Sequence, residues 1–416
     1  MKKYGESLAY LYDDVEKANE RYSRTAAEFG RLFGLSGKAR ELIFISAPGR
    51  TEISGNHTDH QHGSVLAAAV NVDVVCAVSP KSKPDIHIIS EGHKPDIVEL
   101  DDLSPRPAER GCASALIRGV AEWFVLNGYS VGGLDAYTSS QVLSGSGLSS
   151  SAAFEVAVGG MLNHLYNDGK VTPEEVAKAG QYSENVHFGK PSGLMDQMAS
   201  SVGGFVKMDF TEPQKPLIKH LDFDLNASGY ALCITDTKGS HADLTSEYTL
   251  ITVEMREVSE YFGKRFLSEV NESDFYSDIP ALRLKAGDRA ILRALHFFGE
   301  NARVKKQTAA LISGDVKTFL KLVNESGESS LQCLQNIYDI KNPGEQGLSL
   351  ALALSKRILS EGGGAWRVHG GGFAGTVQAY VPHDNLLEYR AAMDSVFGEG
   401  ACRTYKIRSA GGVKLG

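Results

Sequence analysis

No run in the 416 residues approaches the roughly 18 uninterrupted apolar positions that a membrane-spanning helix requires. The N-terminal stretch MKKYGESLAYLYDDVEKANE opens with two lysines but continues with polar residues at helical spacing, without the apolar segment of a secretory signal. A soluble, cytoplasmic protein is expected. The five cysteines (Cys76, Cys112, Cys233, Cys333 and Cys402) are far apart and form no CxxC pair, so neither a disulfide framework nor a zinc site is indicated. Basic residues never gather into a run, and 43 Lys+Arg stand against 51 Asp+Glu for a formal net charge of −8, which argues against a nucleic-acid or acidic-membrane partner. Internal repeats, low-complexity tracts and long linkers are also missing.

What the chain does have is apolar material, 42% of its residues, enough for two cores of ordinary domain size. Two domains are expected, 1–212 and 213–416, divided at the turn Thr211-Glu212-Pro213. Apolar residues at steps of three and four from Leu8 to Phe33 predict a helix over 7–34 that ends at Gly34. ELIFISAPGR predicts a buried strand stopped by Pro48 and Gly49 and feeding a polar loop. The C-terminal half of 64–79 and the segment 134–143 predict strands, and 112–126 a helix. A helix follows SGSGLSS as far as the turn Asn167-Asp168-Gly169, and another starts at Thr172, where Thr172, Pro173 and Glu175 make a capping box with proline at the first position. Later segments alternate strand-like (YALCITDT, GGFAGTVQAYV) with long helical ones.

Three stretches carry chemistry. In SGSGLSSSAA, Gly145 and Gly147 let backbone amides turn around an anion, and the helix that follows aims its free N–H groups at the same point, which makes Gly145, Ser146, Gly147, Leu148, Ser149, Ser150 and Ser151 a candidate phosphate cradle. No lysine follows the last glycine, so this is not a Walker A loop, and the phosphate charge falls to the helix end and a metal. Its alternative is an ordinary glycine turn with serine caps. In APGRTEISGNHTDHQHG (47–63), Arg50, Glu52, Asn56, His57, Asp59 and His60 offer the density of donors and acceptors that a hydroxyl-rich ligand needs. A metal site at His57, Asp59, His60 and His62 and a plain solvated loop are the competing readings, although the spacing fits no standard zinc pattern. In SENVHFGKPSGLMDQMAS (183–200), Asp196 among methionines is either functional or a helix cap, and Glu184 lies twelve residues before it.

In order and spacing these segments, with RVHGGGFAGTVQAYV near the C-terminus, resemble the signature regions of galactokinases in the GHMP small-molecule kinase superfamily. Shorter likenesses, SHADLTSEYTLI, ALHFFGENARV and IRSAGGVKL, extend the match over nearly the whole chain. The resemblance implies an α/β N-terminal domain with the nucleotide loop, a ferredoxin-like α+β C-terminal domain, and a cleft site using ATP and Mg2+ in a monomer. By position it makes Asp196 the catalytic carboxylate and Arg50 its partner beside the transferred phosphate. Ser150 or Ser151 with Glu184 fall in the Mg2+ environment, and His57, Asp59, Gly193 and Tyr248 at sugar contacts. The implied reaction is phosphorylation of galactose at its anomeric hydroxyl.

The typical signature reads GRxNxIGEHTDY, whereas this chain has GRTEISGNHTDH, with Glu52, Asn56 and His60 at the departures and Leu143 where a proline is usual in the glycine loop. Asn56 stands where the family has its contact to the exocyclic hydroxymethyl group. Galacturonate or another C6-modified galactose is therefore admitted as an alternative substrate, and a non-catalytic sugar sensor as an alternative role.

Overall fold

The computed structural model describes residues 5–34, 42–142, 147–190, 192–213, 215–239 and 244–415. In the first half the helices are α1 (Gly5–Leu11), α2 (Val15–Phe33), α3 (Ala113–Leu126), α4 (Ser150–Tyr166), α5 (Pro173–Tyr182) and α6 (Met195–Val202). They accompany strands β1 (Ile43–Ser54), β2 (Ser64–Pro80), β3 (Asp85–Ser90), β4 (Asp96–Glu99), β5 (Leu134–Ser140) and β6 (Phe205–Asp209). In the second half come β7 (Leu217–Leu221), β8 (Tyr230–Asp236), β9 (Ala365–His369), β10 (Thr376–Pro382), β11 (Cys402–Tyr405) and β12 (Val413–Leu415). The helices there are α7 (Thr245–Tyr261), α8 (Glu272–Lys285), α9 (Gly287–Ser313), α10 (Val316–Ser329), α11 (Gly347–Leu359) and α12 (Leu386–Phe397).

Among the described residues there are two sheets. The larger runs β12-β1-β2-β5-β3-β4, with β6 and β7 continuing from β2, and the smaller, antiparallel one runs β11-β8-β10-β9. The larger sheet takes strands from both sides of residue 212, since β7 and the C-terminal β12 both return to it. One apolar core joins the layers, from Ile45, Val74 and Met161 through to Leu311, Phe319 and Tyr380. No helix among the described residues is long and apolar enough to cross a membrane.

Two local predictions need correction. The N-terminal helix is broken at residues 12–14, because Asp14 leaves the helix to accept the amide of Lys17 at 3.0 Å and starts a new one. It does end at Gly34, in the left-handed region at φ 70°. The strand through residues 43–47 does not stop at Pro48 and Gly49 but runs on to Ser54. Pro48 is tolerated because the register with β2 slips there, from Pro48 opposite Asp73 to Arg50 opposite Ala69, so its missing N–H falls at an irregularity. The freed groups find other partners: the Arg50 amide donates to the Leu148 carbonyl at 3.0 Å, and the Ser200 hydroxyl donates to the Pro48 carbonyl at 2.6 Å. Arg50 and Glu52 are thereby strand residues, and the loop begins only at Gly55. The capping box forms as expected, with Thr172 and Glu175 satisfying each other's amides ahead of α5.

A buried charge hub locks the N-terminal helices to this sheet. Asp73, fully buried on β2, takes Arg21 at 2.5 Å and Arg408 at 2.9 Å, together with the hydroxyls of Tyr12 and Ser46.

Candidate active site

The site forms where the end of β1, the start of α4, the start of α6 and the glycine loop before β10 meet. Arg50, on β1, reaches across to Asp196 in the first turn of α6 in a fork: Nε to Oδ1 at 2.6 Å and Nη2 to Oδ2 at 2.8 Å. Its Nη1 donates to the Gly147 carbonyl at 2.5 Å. The Ser149 hydroxyl also donates to Asp196 Oδ2, at 2.6 Å, and Ser149 holds φ 58°, a left-handed conformation uncommon for serine, as the chain enters α4. Burial raises the proton affinity of Asp196, but Arg50, Ser149 and Lys190 outweigh it and keep the carboxyl below its ordinary range.

Asp59 sits beside this pair at the head of a short helical turn, and its Oδ1 accepts the His60 amide at 2.9 Å. A Cβ on Gly193 would lie 1.6 Å from Asp59 Oδ2, so only glycine permits the approach. Burial and the neighbouring Asp196 push the Asp59 carboxyl up to about 6.

Behind Ser151 lies a second carboxylate centre. The Ser151 hydroxyl donates to Glu184 Oε1 at 2.8 Å, Lys190 Nζ approaches the same oxygen at 3.2 Å, and Gln197 Nε2 donates to Oε2 at 3.1 Å. Glu184 lies in a widened π-helical turn, Ser183–Phe188, that continues α5, a departure from the α pattern of the kind that often accompanies functional positions. Gln197 also bridges to Glu155, fully buried, whose carboxyl is pushed well above its ordinary range by burial and by the charge of Glu184. Ser151 and Glu184 supply a hydroxyl and a carboxylate, hard oxygen donors of the number that Mg2+ takes from a protein when phosphate and water complete its shell. A dedicated metal cage is not seen among the described residues, where no cluster of three or more His, Cys, Asp or Glu could hold an ion, and this includes His57, Asp59, His60 and His62.

The remaining loop residues face the glycine turn before β10. Asn56, 2% exposed, donates from its amide to both Glu52 oxygens at 3.0 and 3.1 Å and to the Gly370 carbonyl at 2.8 Å, and its carbonyl accepts from Asn336 at 2.8 Å. Both amide hydrogens are thus used on protein acceptors. His57 Nε2 donates to the Gly371 carbonyl at 3.0 Å, which fixes the tautomer, and burial lowers the ring to about 4, so it is neutral with Nδ1 as an acceptor. The Tyr248 hydroxyl donates to the Gly372 carbonyl at 3.1 Å. Three successive carbonyls are therefore each captured by a side chain from the expected sugar-binding set.

Of the predicted cradle, Gly145 and Ser146 lie outside the described residues, as does Leu143. Gly147 has φ 74°, and a Cβ there would meet Thr376 Oγ1 at 2.4 Å and His369 Nδ1 at 2.8 Å. Leu148 is buried, and Ser150 is the first residue of α4, whose N-terminus faces the Arg50–Asp196 pair through Ser149.

Several contributors were not identified from the sequence. Glu300, inside the stretch ALHFFGENARV, accepts the Gly55 amide at 2.7 Å and the Ser54 hydroxyl at 2.9 Å, anchoring the loop where it leaves β1. A carboxylate embedded between aromatic and small residues was the available signal. His369 accepts the Glu52 amide at 3.3 Å and is held neutral by burial and by Arg50 and Arg367. Lys190, Asn336 and Glu155 carried no local signature.

Residues 115–204 match the family described as GHMP kinases N terminal domain, and residues 27–80 match the galactokinase galactose-binding signature. Among solved structures, Lactococcus lactis galactokinase complexed with galactose superposes with a TM-score of 0.79 at 24% identity, covering 94% of this chain and 99% of that one. The Methanococcus jannaschii mevalonate kinase superposes at 0.59 and 14% identity, over 89% of this chain and 98% of its own. The chain therefore has the GHMP kinase fold, with the match to that family's N-terminal domain confined to residues 115–204. The stretch similar to the galactokinase galactose-binding signature takes in the end of α2, β1, the loop after it and β2.

Proposed function

We propose that the protein transfers the γ-phosphoryl group of ATP to the anomeric hydroxyl of galactose, giving galactose 1-phosphate and ADP. The observation that carries this reading is the forked Arg50–Asp196 pair set against the N-terminus of α4. Three of the five guanidinium hydrogens of Arg50 are used on Asp196 and Gly147, leaving two for the phosphoryl oxygens. In the reaction the sugar oxygen bonds to phosphorus as the bond to the departing ADP oxygen breaks, and the hydroxyl proton goes to Asp196. A carboxylate held this firmly is a weak base, so it accepts the proton only as bond formation makes the hydroxyl acidic, which suits a loose phosphoryl-transfer transition state. Ser151 and Glu184 would hold Mg2+, which when bound neutralises phosphate charge. Asp59, pressed against Gly193, would orient the sugar through its hydroxyls.

The second reading, a C6-modified or C6-acidic galactose, is favoured by the condition of Glu52. This carboxylate is 2% exposed, covered by Asn56, and pushed up by burial to about 7, so about half of its charge is suppressed at neutral pH. An acid on the sugar would meet less repulsion there than beside an exposed carboxylate. The test is ADP release with Mg2+ and ATP over a panel of sugars. Turnover on galactose supports the first reading, turnover confined to galacturonate the second, and sugar and nucleotide binding without turnover with any sugar defeats both in favour of a sensor.

A further inference from the structure

The glycine-rich segment SGSGLSSSAA contains no lysine, yet a lysine stands at the same centre from another element. Lys190 Nζ lies 3.2 Å from Glu184 Oε1, the oxygen that also takes the Ser151 hydroxyl. Its backbone is fixed, since the amides of Gly189 and Lys190 both donate to the Glu184 carbonyl at 3.0 Å. Its side chain is 55% exposed, so the ammonium end can be reached from solvent. The other cation of the site, Arg50, spends three of its five hydrogens on Asp196 and Gly147 and is held in place by them, with two left for the phosphoryl group. A Mg2+ ion engaged by Ser151 and Glu184 would compete with the ammonium for Oε1, because two cations on one oxygen repel. The flexible four-carbon stem of lysine then offers a second position for the charge, toward the phosphates at the start of α4.

We propose that Lys190 is a phosphate-binding residue whose ammonium exchanges Glu184 for the terminal phosphate of the nucleotide as Mg2+ takes its place on that carboxylate. This rests on the reading of the α4 N-terminus as a Mg·nucleotide site. It assigns to residue 190 the charge that a Walker loop carries on its own lysine.

The test uses Lys190→Met and Lys190→Arg in the full chain, with Mn2+ alone followed by paramagnetic resonance, and Mg·AMP-PNP and Mg·ADP followed by calorimetry. Losing a charge-assisted contact to the terminal phosphate should weaken Mg·AMP-PNP about 10- to 100-fold in the Met variant. Mg·ADP should weaken much less, Mn2+ alone should bind more tightly, and the Arg variant should stay within about threefold of the parent for AMP-PNP. Equal weakening of ADP and AMP-PNP, or no change in either, would overturn the proposal and leave Lys190 as a surface ion pair. So would weaker Mn2+ binding in the Met variant. A parent protein that shows these binding effects but phosphorylates no sugar would refute the substrate reading and leave Lys190 supported. A parent that binds neither Mn2+ nor nucleotide would refute both.

Discussion

Replacing Asp196 by asparagine is the most informative single change, because the geometry makes it more than the loss of a charge. Both carboxylate oxygens take an Arg50 donor, Oδ1 at 2.6 Å and Oδ2 at 2.8 Å, so either orientation of the amide sets an N–H against a guanidinium N–H. The less costly orientation puts Nδ2 at the Oδ2 position, where the Ser149 hydroxyl can turn to accept from it, and Arg50 keeps only its Nε bond to residue 196. Breaking a buried ion pair costs roughly 3–5 kcal/mol, and with Asp196 26% exposed the stability loss should fall below that range, at about 2 kcal/mol. Loss of the proton acceptor should lower kcat by about 10² to 10⁴, which corresponds to about 3–5 kcal/mol in the barrier. Steady-state kinetics, calorimetric sugar binding and thermal melting together separate the two effects. The expected result is a collapse in kcat with sugar affinity largely kept and a modest drop in Tm. A variant with a lowered Tm but kcat within tenfold of the parent would show that Asp196 only braces Arg50, and the proton-acceptor role would fail.

Two further predictions follow from named contacts. Gly193→Ala puts a Cβ 1.6 Å from Asp59 Oδ2 and must displace that carboxylate, so KM for the sugar should rise at least about tenfold while Mg·nucleotide affinity holds; an unchanged sugar KM would remove Asp59 from the sugar contacts. Glu52, with its folded-state pKa raised to about 7, contributes stability that is fully present below its ordinary value of 4.5 and is lost as pH rises through 7, up to about 3 kcal/mol. Glu52→Gln keeps the neutral form at every pH, so melting curves should find it close to the parent at pH 5 and more stable at pH 8. Parallel Tm–pH profiles for the two proteins would contradict the buried, protonated state.

How far the sequence alone could lead depended on whether the deciding contacts were local. The strand before the glycine loop, the helix after it and the Thr172 box rest on neighbouring residues, and all three were legible. Pro48 was misleading because proline usually ends a strand, and only the slipped pairing with β2, more than twenty residues away, lets it stay. The direction of Asn56 was not legible, since Asn336, which donates to its side-chain carbonyl, and Gly370, which accepts from its amide, are 280 and 314 positions distant. The resemblance could name Arg50 and Asp196, 146 residues apart, but the fork between them and the addition of Ser149 required the fold. The widened turn at Ser183–Phe188 has the apolar spacing of a helix continuing α5, so its π geometry, and with it the approach of Lys190 to Glu184, left no mark in periodicity.

Phosphorus NMR of the products made from Mg·ATP and galactose tests transfer to the anomeric oxygen most directly. A sugar phosphate whose phosphorus couples to the anomeric proton, formed in step with ADP and absent with Asp196→Asn, is the predicted result. ADP formed without any sugar phosphate, or a phosphate found at another carbon of the sugar, would contradict it.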